Sequence, residues 1–90
     1  MEQIKENEKF PSKILYGRTV ISQTGKKLGK IKDIIFETKT GELLFMVLDD
    51  YTDYVNELNV DRDNEGYPLI PFAAVIAIGD FVVVNEEEII

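Results

Sequence analysis

The sequence predicts a single all-β domain, a small β-barrel of about five or six strands. A chain of 90 residues is long enough for one domain. Short apolar runs alternate along the chain with turns that contain glycine, which is typical of strands at close spacing. No segment has helical periodicity of useful length. A closed or nearly closed barrel is the arrangement that best buries so many short strands.

The N-terminal residues 1–13 are polar, with isolated apolar side chains among Lys, Glu and Asn. They predict a flexible tail, or a short frayed helix that ends before Pro11. The folded domain is expected to span residues 14–85, and its first strand covers residues 19–22. A turn with Gly25 follows this strand.

The next two predicted strands form a hairpin. Residues 28–37 do not alternate strictly, which favours a bulge or burial on both faces. After a turn at Gly41, residues 43–48 are apolar without a break. A strand with one solvated face alternates, so this strand is expected to be covered on both faces. The tail, the long loop or a second molecule can supply the outer cover, and a core strand covered by its own loop remains the alternative.

The second half of the chain begins with a long acidic connection, residues 49–66. Within it, residues 55–60 fit either a helical turn or a short strand. Residues 67–71 are expected to be extended, at an edge or a bend because of their prolines. Residues 75–84 predict a tight hairpin, and residues 86–90 predict a short acidic C-terminal tail.

The composition argues against an enzyme. The chain has no cysteine and no histidine, the residues most often used as nucleophile, general base or transition-metal ligand. Residues 61–66 resemble the start of a calcium-binding loop, but Phe72 stands where a bidentate Glu is required. We therefore predict a solvated turn there, and no catalytic, cofactor-binding or metal-binding residue.

The charge is unevenly distributed along the chain. Residues 1–40 hold nine Lys/Arg and five Asp/Glu, a net +4, while residues 41–90 hold one and twelve, a net −11; together these give −7. The total argues against direct nucleic-acid binding. The split predicts either two oppositely charged faces or a barrel that interleaves both halves.

The sequence gives no sign of a membrane segment. No apolar run approaches the roughly 18 residues of a spanning helix, and the N-terminus has no apolar signal core. These features predict a cytoplasmic protein without membrane insertion.

Two groups of side chains are candidates for protein contacts. The unbroken apolar strand and the final hairpin predict self-association, whereas tyrosines of the acidic connection predict a site for a second partner, because tyrosine is enriched at binding hot spots. The self-association candidates are Leu44, Met46, Leu48, Phe81 and Val83, and the partner-binding candidates are Tyr51, Tyr54 and Tyr67.

Several short motifs resemble a known family when they are taken in order. Residues 17–20 and 24–34 resemble the opening of a PRC-barrel domain: a glycine before the first strand, then G-x-x-[apolar]-G-x-[apolar]-x-D. Residues 40–43 fit the next step of that pattern. Residues 71–84 resemble the closing proline, short turn and final hairpin. The resemblance covers residues 14–85, almost the whole chain.

The resemblance implies a compact PRC-type β-barrel that serves as an adaptor and carries no catalytic motif. Stand-alone archaeal members are similar in size. Some of them associate with themselves and act in cell division, where they bridge a membrane-anchor protein of the tubulin-like division ring. We therefore expect a homodimeric archaeal adaptor, recruited from the cytoplasm to the division site, whose other partner is a cytoplasmic division protein, with no small-molecule substrate. The alternative is a ribosome-maturation accessory protein that docks on a ribosomal protein, by analogy with another family member.

Overall fold

The computed structural model describes residues 12–89. These residues form a short α-helix, seven β-strands and three 3-10 helices. The helix α1 spans Ser12–Leu15, so most of the predicted tail, residues 1–13, lies outside the described residues. The strands are β1 (Thr19–Ser22), β2 (Lys27–Phe36), β3 (Leu43–Asp49), β4 (Asp61–Arg62), β5 (Pro68–Pro71), β6 (Val75–Ile78) and β7 (Phe81–Val84), and the 3-10 helices are η1 (Asp53–Glu57), η2 (Phe72–Ala74) and η3 (Glu86–Glu88).

All seven strands belong to one sheet, in the order β4-β5-β3-β2-β1-β7-β6. The neighbours are antiparallel except β1 and β7, which run parallel. The two outermost strands, β4 and β6, do not pair with each other, so the curved sheet is not closed. The all-β, barrel-like prediction is confirmed. The strand count is higher than expected because the acidic connection contributes β4, which pairs with β5.

One face of the sheet forms the core. The register places Met46 opposite Ile34 on one side and opposite Ile70 on the other. Leu48 pairs with Ile31 in the same way. All five side chains are buried, because alternate residues of neighbouring strands point to the same face.

The register of β2 shifts twice against β3, between Ile31 and Asp33 and between Ile35 and Phe36. These irregularities confirm the bulge predicted from the broken alternation of residues 28–37. A bulge lets both parities of one strand contribute to the core at different points. It thereby explains why the apolar residues of β2 change parity along the strand.

The strand β3 is covered on both faces over Met46, Val47 and Leu48, which are all buried. Val47 points away from the core and lies in a depression that the β4–β5 turn helps to line. The chain itself thus covers this position, in agreement with the alternative in which the loop supplies the outer cover.

The acidic connection is ordered along its length. Thr52 fixes its start: its amide donates to the carbonyl of Leu28 at 2.9 Å, and its hydroxyl donates to the carbonyl of Lys27 at 2.6 Å. For residues 55–60 the sequence allowed either a helical turn or a short strand. They begin inside η1, and the side chain of Val55 in this 3-10 helix is fully buried. A 3-10 turn brings this one apolar side chain onto the core while its acidic neighbours stay in solvent.

The C-terminal segment does not behave as a free tail. Its acidic residues form η3, and the side chain of Asn85 accepts a hydrogen bond from the amide of Glu87 as the N-cap. Ile89 is buried in the core cluster. The predicted tail over residues 86–90 is therefore an integral part of the domain as far as Ile89.

Candidate interaction surfaces

The hairpin formed by β6 and β7 exposes three large apolar side chains. Ile76 is 54% exposed, Ile78 52% and Phe81 52%. The strand β6 ends the sheet, so each of its residues has a strand neighbour on one side only in the described chain. The register shift between Val75 and Ala77 places Ile76 in a bulge. We call Ile76, Ile78 and Phe81 the hairpin surface.

Arg18 ties the hairpin surface to the end of α1. Its Nη1 donates to the carbonyl of Gly79 in the β6–β7 turn, and its Nε donates to the carbonyl of Ile14 at 2.8 Å. Ile14 and Tyr16, on either side of the helix end, are themselves exposed. The guanidinium has a fixed fork of donors, so it can hold two carbonyl groups at a defined separation. The hairpin turn is therefore fixed relative to the start of the domain.

The structure corrects part of the predicted self-association set. Met46 and Leu48 are fully buried on the core side of β3, and Leu44 is half-buried. The unbroken apolar run hid which side chains face the core, and Met46 and Leu48 belong to the core cluster. Phe81 is exposed and Val83 is half-buried, so the hairpin half of the prediction lies where a second molecule can reach it.

Each of the three predicted contact tyrosines lies against a cation of its own chain. The Nζ of Lys26 lies 4.8 Å from the centre of the Tyr54 ring, and the Nζ of Lys32 lies 4.5 Å from that of Tyr67. The guanidinium carbon of Arg62 lies 5.4 Å from the Tyr51 ring centre. Such contacts contribute about 0.5–1 kcal/mol each at exposed sites. The Tyr54 contact ties the acidic connection to the β1–β2 turn, and the role of all three tyrosines in partner binding remains a prediction.

Ion pairs join the basic and acidic halves of the sequence. The carboxylate of Asp50 lies 3.6 Å from the Nζ of Lys27 and 3.9 Å from that of Lys30. Asp50 adopts a left-handed backbone conformation, with φ of 48°, at the end of β3. These contacts support the interpretation that the fold interleaves the two charge-biased halves rather than separating them into two faces.

Glu86 links the C-terminal 3-10 helix to the β1–β2 turn. Its carboxylate accepts from the amide of Gln23 at 3.2 Å and from the hydroxyl of Thr24 at 3.0 Å. The pKa of Glu86 is lowered, first by a hydrogen bond from its own amide and then by Thr24, Gln23 and the nearby Lys26. Partial burial, followed by the Glu86 and Glu57 charges, raises the pKa of Tyr54 above its ordinary value.

A concave feature lies on the outer face of β2 and β3, beside the β4–β5 turn. It has a volume of about 300 Å³. Two apolar side chains form its floor and polar side chains form its rim. We call it the outer groove; its lining residues are Lys32, Asp33, Ile35, Val47, Asp63, Asn64 and Glu65.

The loop that resembles the start of a calcium site is a tight turn between β4 and β5. The carboxylate of Asp63 accepts from the amides of Glu65 and Tyr67, both at 2.9 Å. Gly66 takes a φ of 92°, which glycine adopts without steric cost. Residues 12–89 contain no group of three or more Asp or Glu side chains placed to hold a metal ion. In the same residues, no helix is long and apolar enough to cross a bilayer.

Sequence reasoning missed the two isoleucines of the hairpin surface and the outer groove. The run of apolar residues in β6 was visible, but only the sheet order shows that β6 is an edge strand, where such side chains have few neighbours. The groove depends on the β4–β5 turn folding back beside β3, a contact between distant parts of the chain.

The comparisons with known proteins agree with this architecture. Residues 7–89 match the PRC-barrel domain, which confirms the resemblance seen in the glycine motifs. An uncharacterised protein of the archaeon Methanocaldococcus jannaschii is 35% identical over 79 residues, covering 88% of this chain and 84% of that protein. PRC-barrel domains are non-catalytic interaction modules. With a family match over nearly its whole length and the open seven-stranded sheet described above, the chain belongs to the PRC-barrel family.

Proposed function

We propose that this protein is a non-enzymatic adaptor that self-associates through the hairpin surface. The observation that carries the proposal is the exposure of three large apolar side chains on a hairpin that ends the sheet. Exposed edges are templates for pairing with another chain, and large apolar side chains left in solvent at such an edge are typical of interaction sites.

A second copy of the chain is a suitable occupant of this edge. Two β6 strands related by a two-fold axis would run antiparallel, and such an isologous contact is self-complementary. It would give the outer side of the β6 backbone hydrogen-bond partners and cover Ile76 and Ile78. A domain of this size buries a smaller fraction of its surface on folding than a larger domain does, so a dimer contact would also add to its stability.

Solution mass tests the self-association. Light scattering over a concentration series is expected to show the wild-type chain above its monomer mass of 10.3 kDa. The double variant Ile78→Glu, Phe81→Glu places two charges on the hairpin surface and is expected to be monomeric with an unchanged circular dichroism spectrum. Ile35→Glu, a partly exposed isoleucine on another strand of the sheet, serves as the control and should keep the wild-type mass. A wild-type monomer at every concentration would sink the proposal.

We propose that the second partner belongs to an archaeal division complex and is reached from the cytoplasm at the division site. In this proposal the chain contacts the protein that anchors the tubulin-like division protein to the membrane. The resemblance to stand-alone archaeal PRC-barrel proteins supports this assignment, and the relative in an archaeon is consistent with it. Affinity purification of the tagged chain from archaeal cells, followed by mass spectrometry, tests it. Recovery of that anchor in wild-type samples and its loss in an anchor deletion would support the assignment. Enrichment of ribosomal proteins in its place would overturn it.

A further inference from the structure

We propose that the outer groove binds a short segment of a foreign partner protein in which a basic side chain stands beside an aliphatic one. The inference rests on the adaptor role proposed above, and it names the chemistry of the second partner. It concerns a surface separate from the hairpin surface, formed by β2, β3 and the β4–β5 turn.

The floor of the groove is apolar. Ile35 and Val47 point outward from neighbouring strands, and Ile35 is partly exposed. The volume of about 300 Å³ lies at the lower end of the range for ligand sites. A groove of this size accommodates one or two side chains of a partner, and an aliphatic side chain would cover the exposed part of Ile35.

The rim of the groove is acidic. Asp33, Asp63 and Glu65 line it together with a single cation, Lys32. Backbone amides occupy one oxygen of each aspartate: Oδ1 of Asp33 accepts from Ile34, and Oδ1 of Asp63 accepts from the turn. In the part of the chain that the structure describes, the ion pairs involve Asp50 and none of the rim carboxylates. The rim can therefore accept hydrogen bonds from an incoming cation.

The lysine of the groove does not cancel this charge at the rim. The Nζ of Lys32 lies over the ring of Tyr67, 4.5 Å from its centre. Three carboxylates against one lysine leave the lining with a net charge of −2. Charge complementarity therefore favours a basic segment over an acidic one.

Six of the seven Lys and Arg side chains in residues 14–89 are engaged within their own molecule, so this part of a second copy offers few cations to the groove. Three of them lie against tyrosine rings, two pair with Asp50, and one holds backbone carbonyls. They are Lys26, Lys32, Arg62, Lys27, Lys30 and Arg18. A foreign segment with uncommitted cations is therefore the occupant that fits.

Peptide titration tests the proposal on the full-length chain. The probe is a capped hexapeptide of alternating lysine and leucine, and the matched probe has glutamate in place of lysine. Nitrogen-15 NMR of the protein should show shifts centred on Ile35, Val47 and Asn64 with the basic peptide, and none with the acidic peptide. Binding should weaken as salt is raised.

Isosteric variants separate the groove from general attraction to an acidic protein. Asp33→Asn with Glu65→Gln removes two rim charges and is expected to raise Kd about three- to tenfold. Asp53→Asn with Glu57→Gln removes two charges from η1 and should leave Kd within about twofold. Equal weakening in both variants, or shifts centred on the hairpin surface, would overturn the inference.

The solution mass of the Asp33→Asn, Glu65→Gln variant distinguishes the proposed binding in the outer groove from the proposed self-association. An unchanged mass with weakened peptide binding supports the inference. Self-association of the wild-type chain without any peptide binding removes the inference and leaves the proposed self-association intact. Loss of self-association in the groove variant would mean that a second copy occupies the groove, which contradicts a foreign partner.

Discussion

A Cβ atom on Gly29 would lie 2.9 Å from the carbonyl oxygen of Asp49. The same atom would lie 3.1 Å from the Cα of Tyr51. Gly29 thus allows the chain to pass over β2 as it leaves β3 for the acidic connection. This close approach gives a physical reason for the second glycine of the motif that resembles the PRC-barrel opening.

Gly29→Ala is expected to lower the free energy of unfolding by about 1–3 kcal/mol, because backbone atoms must move to admit the methyl group. Urea denaturation followed by circular dichroism measures the change. Gly79→Ala is the control, since nothing lies within 4 Å of the added Cβ there. A loss at Gly29 no larger than at Gly79 would show that the loop adjusts without strain.

Ile89→Ala is expected to destabilise the domain by about 2–4 kcal/mol, because it removes a buried side chain from the core. A free tail would give no change on this substitution. Glu88→Ala, on the exposed side of the same segment, should change stability by no more than about 0.5 kcal/mol. Thermal unfolding of both variants decides the point, and equal midpoints would contradict the docking of Ile89.

The two ends of the domain show what the sequence could and could not predict. The glycine turns and apolar runs were sufficient for the strands β1 to β3 and the final hairpin, because turn chemistry and strand period are local signals. The acidic residues of η3 looked like a tail, since the docking of Ile89 is a contact with distant parts of the chain. Local patterns carry no information about such contacts.

The predicted contact residues also show which features local sequence patterns can and cannot place. Six consecutive apolar residues identified β3 as a doubly covered strand but left its parity undetermined, so Met46 and Leu48 were assigned to the wrong face. A one-residue change of register moves every side chain of a strand to the opposite face. Phe81, a candidate in the final hairpin, is exposed, and its part in self-association remains a prediction.

The hydrogen bonds that the Glu86 carboxylate accepts from the β1–β2 turn are expected to make the stability of the fold depend on pH. Because the folded-state pKa of Glu86 lies below its ordinary value of 4.5, its ionised form stabilises the folded protein above that pH, and this contribution is lost as the pH falls through the folded-state pKa. Glu86→Gln should therefore be less stable than wild type at neutral pH.

The difference between Glu86→Gln and wild type should narrow as the pH is lowered below 4.5. Thermal midpoints measured across the acidic range test this, with Glu88→Gln as a control that removes a carboxylate from the same 3-10 helix. A gap that stays constant from neutral to acidic pH would mean that the carboxylate charge of Glu86 plays no part.

Met46→Glu places a negative charge in the core, and Ile78→Glu places the same charge on the proposed interface. Met46 is fully buried between β2 and β5, and an unpaired carboxylate there costs several kcal/mol, a large part of the 5–15 kcal/mol that stabilises a typical domain. We expect Met46→Glu to be unfolded or to melt far below wild type. Ile78→Glu should stay folded, because that side chain is already half in solvent.

Solution mass and thermal unfolding of these two variants, measured side by side, distinguish loss of fold from loss of association. The hairpin surface predicts a folded Ile78→Glu chain of lower mass and an unfolded Met46→Glu chain. A folded, monomeric Met46→Glu chain would instead return the interface to β3. That outcome would require Met46 to face outward, against a register in which it pairs with both Ile34 and Ile70 of the core.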